Sequence, residues 1–151
     1  MTPALLILWL HVLSVVVWVG GLTYQAHVLL PAVRRGGAGP LADVLRRGRA
    51  VAWTALAVVV LTGFFNVTRL GPLERVLESG AALTLALKFM LVLGAVAITG
   101  QRDFAQVPRL ARALAAGDDP QPALSAITWM DRVVLLLAAV IVYLGLAISR
   151  A

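Results

Sequence analysis

The sequence predicts an all-α integral membrane protein: a bundle of four spanning helices with both termini outside and a short interfacial helix between helices three and four. Three observations carry this. Of 151 residues, 61% are hydrophobic and 13% charged, with a mean hydropathy of +0.94, far from the balance of a soluble domain. Four windows, roughly 4–30, 50–68, 79–101 and 130–149, satisfy the requirement of about 20 largely apolar residues per span. Arginines gather in two connections, with Arg34, Arg35, Arg46, Arg47 and Arg49 in the first and Arg102, Arg109 and Arg112 in the second. The opposite side carries Arg69 and Arg75, offset by Glu74 and Glu78, and Arg150 at the C-terminus. The positive-inside rule then makes both arginine-rich connections cytoplasmic. The net charge of +6 is a topology signal, and nucleic acid is not expected as a partner.

The first window lacks a basic leading region and is too long for a cleaved signal peptide, so it is expected to stay in the mature protein. The chain has no cysteine, which excludes disulfides, thiolate metal sites and palmitoylation. Because the connections are short, residues 1–151 read as a single transmembrane domain with helices over about 4–30, 43–68, 79–103 and 123–149.

Helix one is closed by Pro31 and "RRGGAGP", since glycine and proline break regular structure. Helix two runs through "RGRAVAWTALAVVVLTGFF" and leaves at "RLGP". Helix three holds Lys88 as its only charge before Arg102. In "VPRLARALAAGDDPQP", Val107, Leu110 and Leu114 recur at helical intervals around Arg109 and Arg112, the pattern of an interfacial helix. Pro122 opens helix four, and Trp129 stands at the level of an aromatic belt. The segments "LWLHVLSV" and "LALKFMLV" place His11 and Lys88 at matching positions before an arginine-bearing connection, a likeness short of a repeat.

On this topology His11, Lys88 and Tyr143 share a depth of about 10–13 Å below the outer surface, with Thr62 and Asn66 in the same layer. A second layer near the cytoplasmic face collects Tyr24, Gln25, His27, Trp53, Thr99, Met130, Asp131 and Arg132. His11, Ser14, Trp18, Gly21 and Gln25 form one stripe of helix one, the small and polar face that turns toward other helices in lipid. His11 is therefore a candidate metal or haem ligand facing the core, or else a core histidine bonded to Ser14 or Asn66. His27 lies about 24 Å away along the axis and about 160° around it, so the two histidines do not share a site within one chain.

Lys88 either contacts an anionic group such as a haem propionate, transfers a proton, or snorkels to the surface along its stem. Asp131 and Arg132 read mainly as interfacial charges that orient helix four, and Met90 reads as packing.

The stretch "HVLSVVVWVGGLTY", with His11, Trp18, Gly21, Leu22 and Tyr24, resembles the first-helix pattern shared by the copper-resistance protein D (CopD) domain and the HemJ-type protoporphyrinogen oxidases. "RAVAWTALAVVVLTGFFNVTRLG" followed by "LALKFMLVLGAVAITGQR", with Thr62, Gly63 and Lys88, looks most like the CopD domain. The CopD likeness implies copper handling at the inner membrane. The HemJ likeness implies a bound haem b and porphyrinogen oxidation, with the counterparts of His11 and Lys88 functionally important. The chain departs from the HemJ pattern at Ala26 and His27, where that family has a proline and an arginine, and Asp131 only echoes its Asn-Glu-x-Pro element.

A copper route calls for several soft ligands, whereas a haem needs one axial ligand, small residues and a cation for its propionates. The expected site is accordingly a haem b held by His11 as axial ligand, with Ser14, Trp18, Gly21, Asn66 and Lys88 around it and Lys88 as the catalytic candidate. Copper binding and transport is the alternative, and a membrane scaffold without cofactor is the third class. The expected partners are the lipid bilayer, haem or a copper ion, and a second copy or a membrane redox partner.

Overall fold

The computed structural model describes residues 2–37, 39–69 and 81–148. The connection with Arg75, Glu74 and Glu78, the "LGP" exit of helix two, and Arg150 lie outside the described residues, as do the side chains of Arg34 and Arg35.

Among the described residues four helical rods make up the bundle. The first comprises α1 (Pro3–Tyr24), a π-helical turn (Gln25–Leu29) and α2 (Leu30–Gly36). The second is α3 (Leu41–Val67). The third repeats the first: α4 (Ala81–Gln101), a π-helical turn (Arg102–Gln106) and α5 (Val107–Ala116). The fourth is α6 (Gln121–Ile148). Each contains a span long and apolar enough to cross a membrane. Among the described residues there is no strand. Large apolar side chains such as Leu61, Leu83 and Leu136 point outward on all rods, as they do when lipid is the surrounding solvent.

Pro31 does not end helix one. It stands in the first turn of α2, just after the π turn, where a missing N–H is tolerated. Pro108 holds the same place in α5. The rods stop instead at Gly37 and Gly117, whose φ values of 100° and 74° lie in the left-handed region that glycine enters without strain.

The helix expected around residues 107–114 is α5, which continues the third rod. Its apolar face is packed on protein: Val107 and Leu110 join Leu30, Leu41, Leu124 and Ile127 in a core at the arginine-rich end. A second core nearer the termini is built from Trp18, Leu22, Leu56, Ala95, Val134 and Ala138. The main helix contacts are α1 with α3 and α4 with α6, so the bundle consists of two helix pairs.

Candidate functional site

The bundle holds two polar layers, one near the termini and one between its two apolar cores.

In the terminal layer, His11 Nδ1 lies 2.8 Å from Thr62 Oγ1. The Thr62 hydroxyl donates to the carbonyl of Val58 at 2.5 Å. A hydroxyl has one proton, so with that proton on Val58 its oxygen accepts from His11 Nδ1–H. This selects the tautomer with its lone pair on Nε2, and the Val59 backbone carbonyl is a further hydrogen-bond acceptor beside the ring. Gly63 makes room for the ring, because a Cβ there would lie 3.4 Å from His11 Cε1. Thr62, rather than Ser14 or Asn66, is thus the partner of His11.

Lys88 is half-buried, and its Nζ rests against the fourth rod, 3.2 Å from where a Cβ on Gly145 would stand. It lies within electrostatic reach of His11.

The other expected site residues divide. Ser14 and Trp18 are buried on the inward face, and among the described residues Trp18 Nε1 is a buried donor without a partner. Asn66 is half-buried one turn beyond Thr62. Gly21 is exposed, with open space where its Cβ would be, and Leu22 takes the inward position one turn after Trp18. His27 is exposed, its Nδ1 3.2 Å from the carbonyl of Thr23, and Tyr143 and Met90 face outward.

The second layer is an ionic cluster drawn from all four rods. Arg102 binds Asp131 Oδ1 through a terminal nitrogen at 2.6 Å and Asp103 Oδ1 through Nε at 2.7 Å. The second oxygen of each carboxylate is taken from the other helix pair: Gln25 Nε2 donates to Asp131 Oδ2 at 2.7 Å, and Trp53 Nε1 donates to Asp103 Oδ2 at 2.8 Å. Arg49 adds a bond to the Asp103 carbonyl and stacks over Phe104.

Asp131 is fully buried, so it is no interfacial orienting charge; only Arg132 beside it is exposed. Arg102, counted from the sequence as a connection arginine, is buried as well. A signal for it was present, since Arg102 follows Lys88 by fourteen residues, about four helical turns and hence the same face.

No curated protein and no solved structure matches the chain. The family model described as copper resistance protein D (CopD) matches residues 42–148, from the first turn of α3 to the end of α6. The HemJ-like features of residues 11–24 lie outside that match. With four spanning rods and most of its length inside the match, the chain belongs to the CopD family of inner-membrane proteins.

Proposed function

We propose that His11 is the protein ligand of a metal centre at the terminal end of the bundle, and that this centre is haem b. The observation supporting the reading is the Thr62 bond, which engages Nδ1–H and leaves Nε2 as a ligand. One protein nitrogen suffices to hold a haem iron. Among the described residues, no group of three or more His, Cys, Asp or Glu is placed to hold a bare ion. An open apolar groove of about 400 Å³ runs between α1 and α3 next to the His11 segment, lined in part by Leu13, Ser14, Val17 and Val58 and not by His11 itself. Lys88 adds a cation for a propionate.

When bound, the haem would supply one-electron redox chemistry, making the protein a membrane oxidoreductase. In that reading Thr62 orients the ring, His11 binds, and Lys88 neutralises the anionic edge or moves a proton.

The family match favours a second reading, in which copper is cargo. His11 would then be one ligand, the rest coming from a second copy or a membrane partner, because Met90 is exposed and Met130 stands at the level of the ionic cluster. An absorption spectrum and metal analysis on one purified sample distinguish the two. A Soret band with stoichiometric iron supports haem, stoichiometric copper without that band supports cargo, and a metal-free colourless protein rejects both.

Lys88→Met retains stem and bulk while deleting the ammonium. If Lys88 serves the centre, cofactor retention or turnover falls while insertion is unchanged. Lys88→Arg then restores a propionate contact but not proton transfer. A wild-type spectrum and activity in Lys88→Met would remove Lys88 from the site.

The orientation follows from the arginines: the 34–40 and 117–120 connections are proposed to be cytoplasmic and both termini external. Single cysteines at 36–39 and 113–119 should then be protected from an impermeant label in intact cells, while positions 74–80 react. The opposite pattern reverses the topology.

A further inference from the structure

The two helix pairs are built to one plan. His11 precedes the first π turn and Lys88 the second by the same fourteen residues, and Pro31 and Pro108 follow the starts of those turns by the same six. Each of the two polar side chains lies over a glycine of its own pair, Gly63 or Gly145. The chain is thus a tandem of two similar units, each running from the terminal end to the arginine-rich end and back. Interruptions at corresponding positions of two repeats mark where such bundles bind or move, and π turns concentrate at functional positions.

The layers divide their bonds differently. In the terminal layer the hydrogen bond and the close packing stay within a pair, His11 on Thr62 and Gly63 and Lys88 by Gly145, and only the His11–Lys88 electrostatic contact spans the two. In the ionic layer each carboxylate gives one oxygen to Arg102 of its own pair and the other to a neutral donor of the opposite pair. Asp103 and Asp131 keep a charged partner if the pairs separate, so parting them breaks hydrogen bonds without stranding an ion. One buried polar atom beside the cluster lacks a partner among the described residues, Gln106 Oε1, one turn beyond Arg102. It gains a hydrogen bond when water enters.

We propose that the Gln25–Asp131 and Trp53–Asp103 bonds form a latch between the two helix-pair units, closing the arginine-rich end of the bundle, and that its release admits water as far as buried Thr99, one turn inside the cluster. The latch is independent of which centre His11 binds.

The chain has no cysteine, so a single Thr99→Cys is a clean probe: Thr99 is buried one turn from Arg102 on the terminal side. Its reaction with an impermeant thiol reagent applied from the arginine-rich side of reconstituted membranes should be slow. Gln25→Leu with Trp53→Phe removes the cross-pair donors to both carboxylates and leaves Arg102 on the carboxylates and Arg49 on the Asp103 carbonyl. Labelling should then rise at least about ten-fold, the population change that follows from losing a hydrogen bond to a charged group. Thr62→Val, which removes a within-pair bond, should leave the rate unchanged. A cysteine at Ala138, buried in the core nearer the termini, should stay protected throughout. An unchanged rate in the double variant overturns the latch. So does an equal rise in Thr62→Val, and so does exposure of position 138 alongside 99, which is general loosening.

Discussion

Asp131→Ala is expected to destabilise the bundle by about 3–5 kcal/mol, because it leaves Arg102 buried with half its compensation and strands the Gln25 amide. The neighbouring Arg132→Ala, at an exposed position, should stay within about 0.5 kcal/mol. Reversible unfolding in mixed detergent micelles measures both. Replacing Arg102 and Asp131 together by apolar residues of similar volume should recover part of the loss, since removing both partners leaves fewer uncompensated charges. A loss below about 1 kcal/mol in Asp131→Ala, within the range of an exposed ion pair, would mean that water reaches this layer in the resting protein.

The second large effect is expected at His11. His11→Ala should abolish the spectrum or stoichiometric metal, whereas His27→Ala, whose ring lies exposed beside Thr23, should leave them unchanged. Thr62→Val keeps the shape but removes the hydroxyl that selects the tautomer. Loss of such a supporting bond typically weakens metal binding about 10–100-fold, and a titration of the reconstituted protein measures it. Full binding in His11→Ala would reject the ligand assignment. Equal losses in His11→Ala and His27→Ala would indicate a centre shared between copies.

The spans and the inward face of His11 were legible because hydropathy and helical period are local properties. The pairing of His11 was only half legible: its layer could be counted out along the helices, but the choice of Thr62 over Asn66 depends on how α1 and α3 pack. The ionic cluster was legible only as a shared depth for Gln25, Trp53 and Asp131, and its bonds were hidden for a different reason. Its bonds join residues 29, 50 and 106 positions apart, and each charge taken alone resembles an interfacial residue. The π turns hid it further, since a wider turn with i→i+5 bonding lets the neighbours Arg102 and Asp103 both face inward. Pro31 misled for the same cause, being read as a stop where the backbone had already been rearranged to receive it.

The order in which the cluster's members are synthesised bears on how the chain enters the bilayer. Arg102 and Asp103 are sequence neighbours bonded to each other, so the third rod carries a self-neutralised pair and can partition into lipid before the fourth exists. Among the described residues Asp131 is bonded to no charge of its own rod, Arg132 beside it being exposed, and its acceptors meet Arg102 and Gln25 only when the last rod arrives. A chain truncated before residue 131, or mispaired at that step, therefore leaves Gln25 without its acceptor and Arg102 with one carboxylate fewer, a polar cost in lipid that only the last rod relieves.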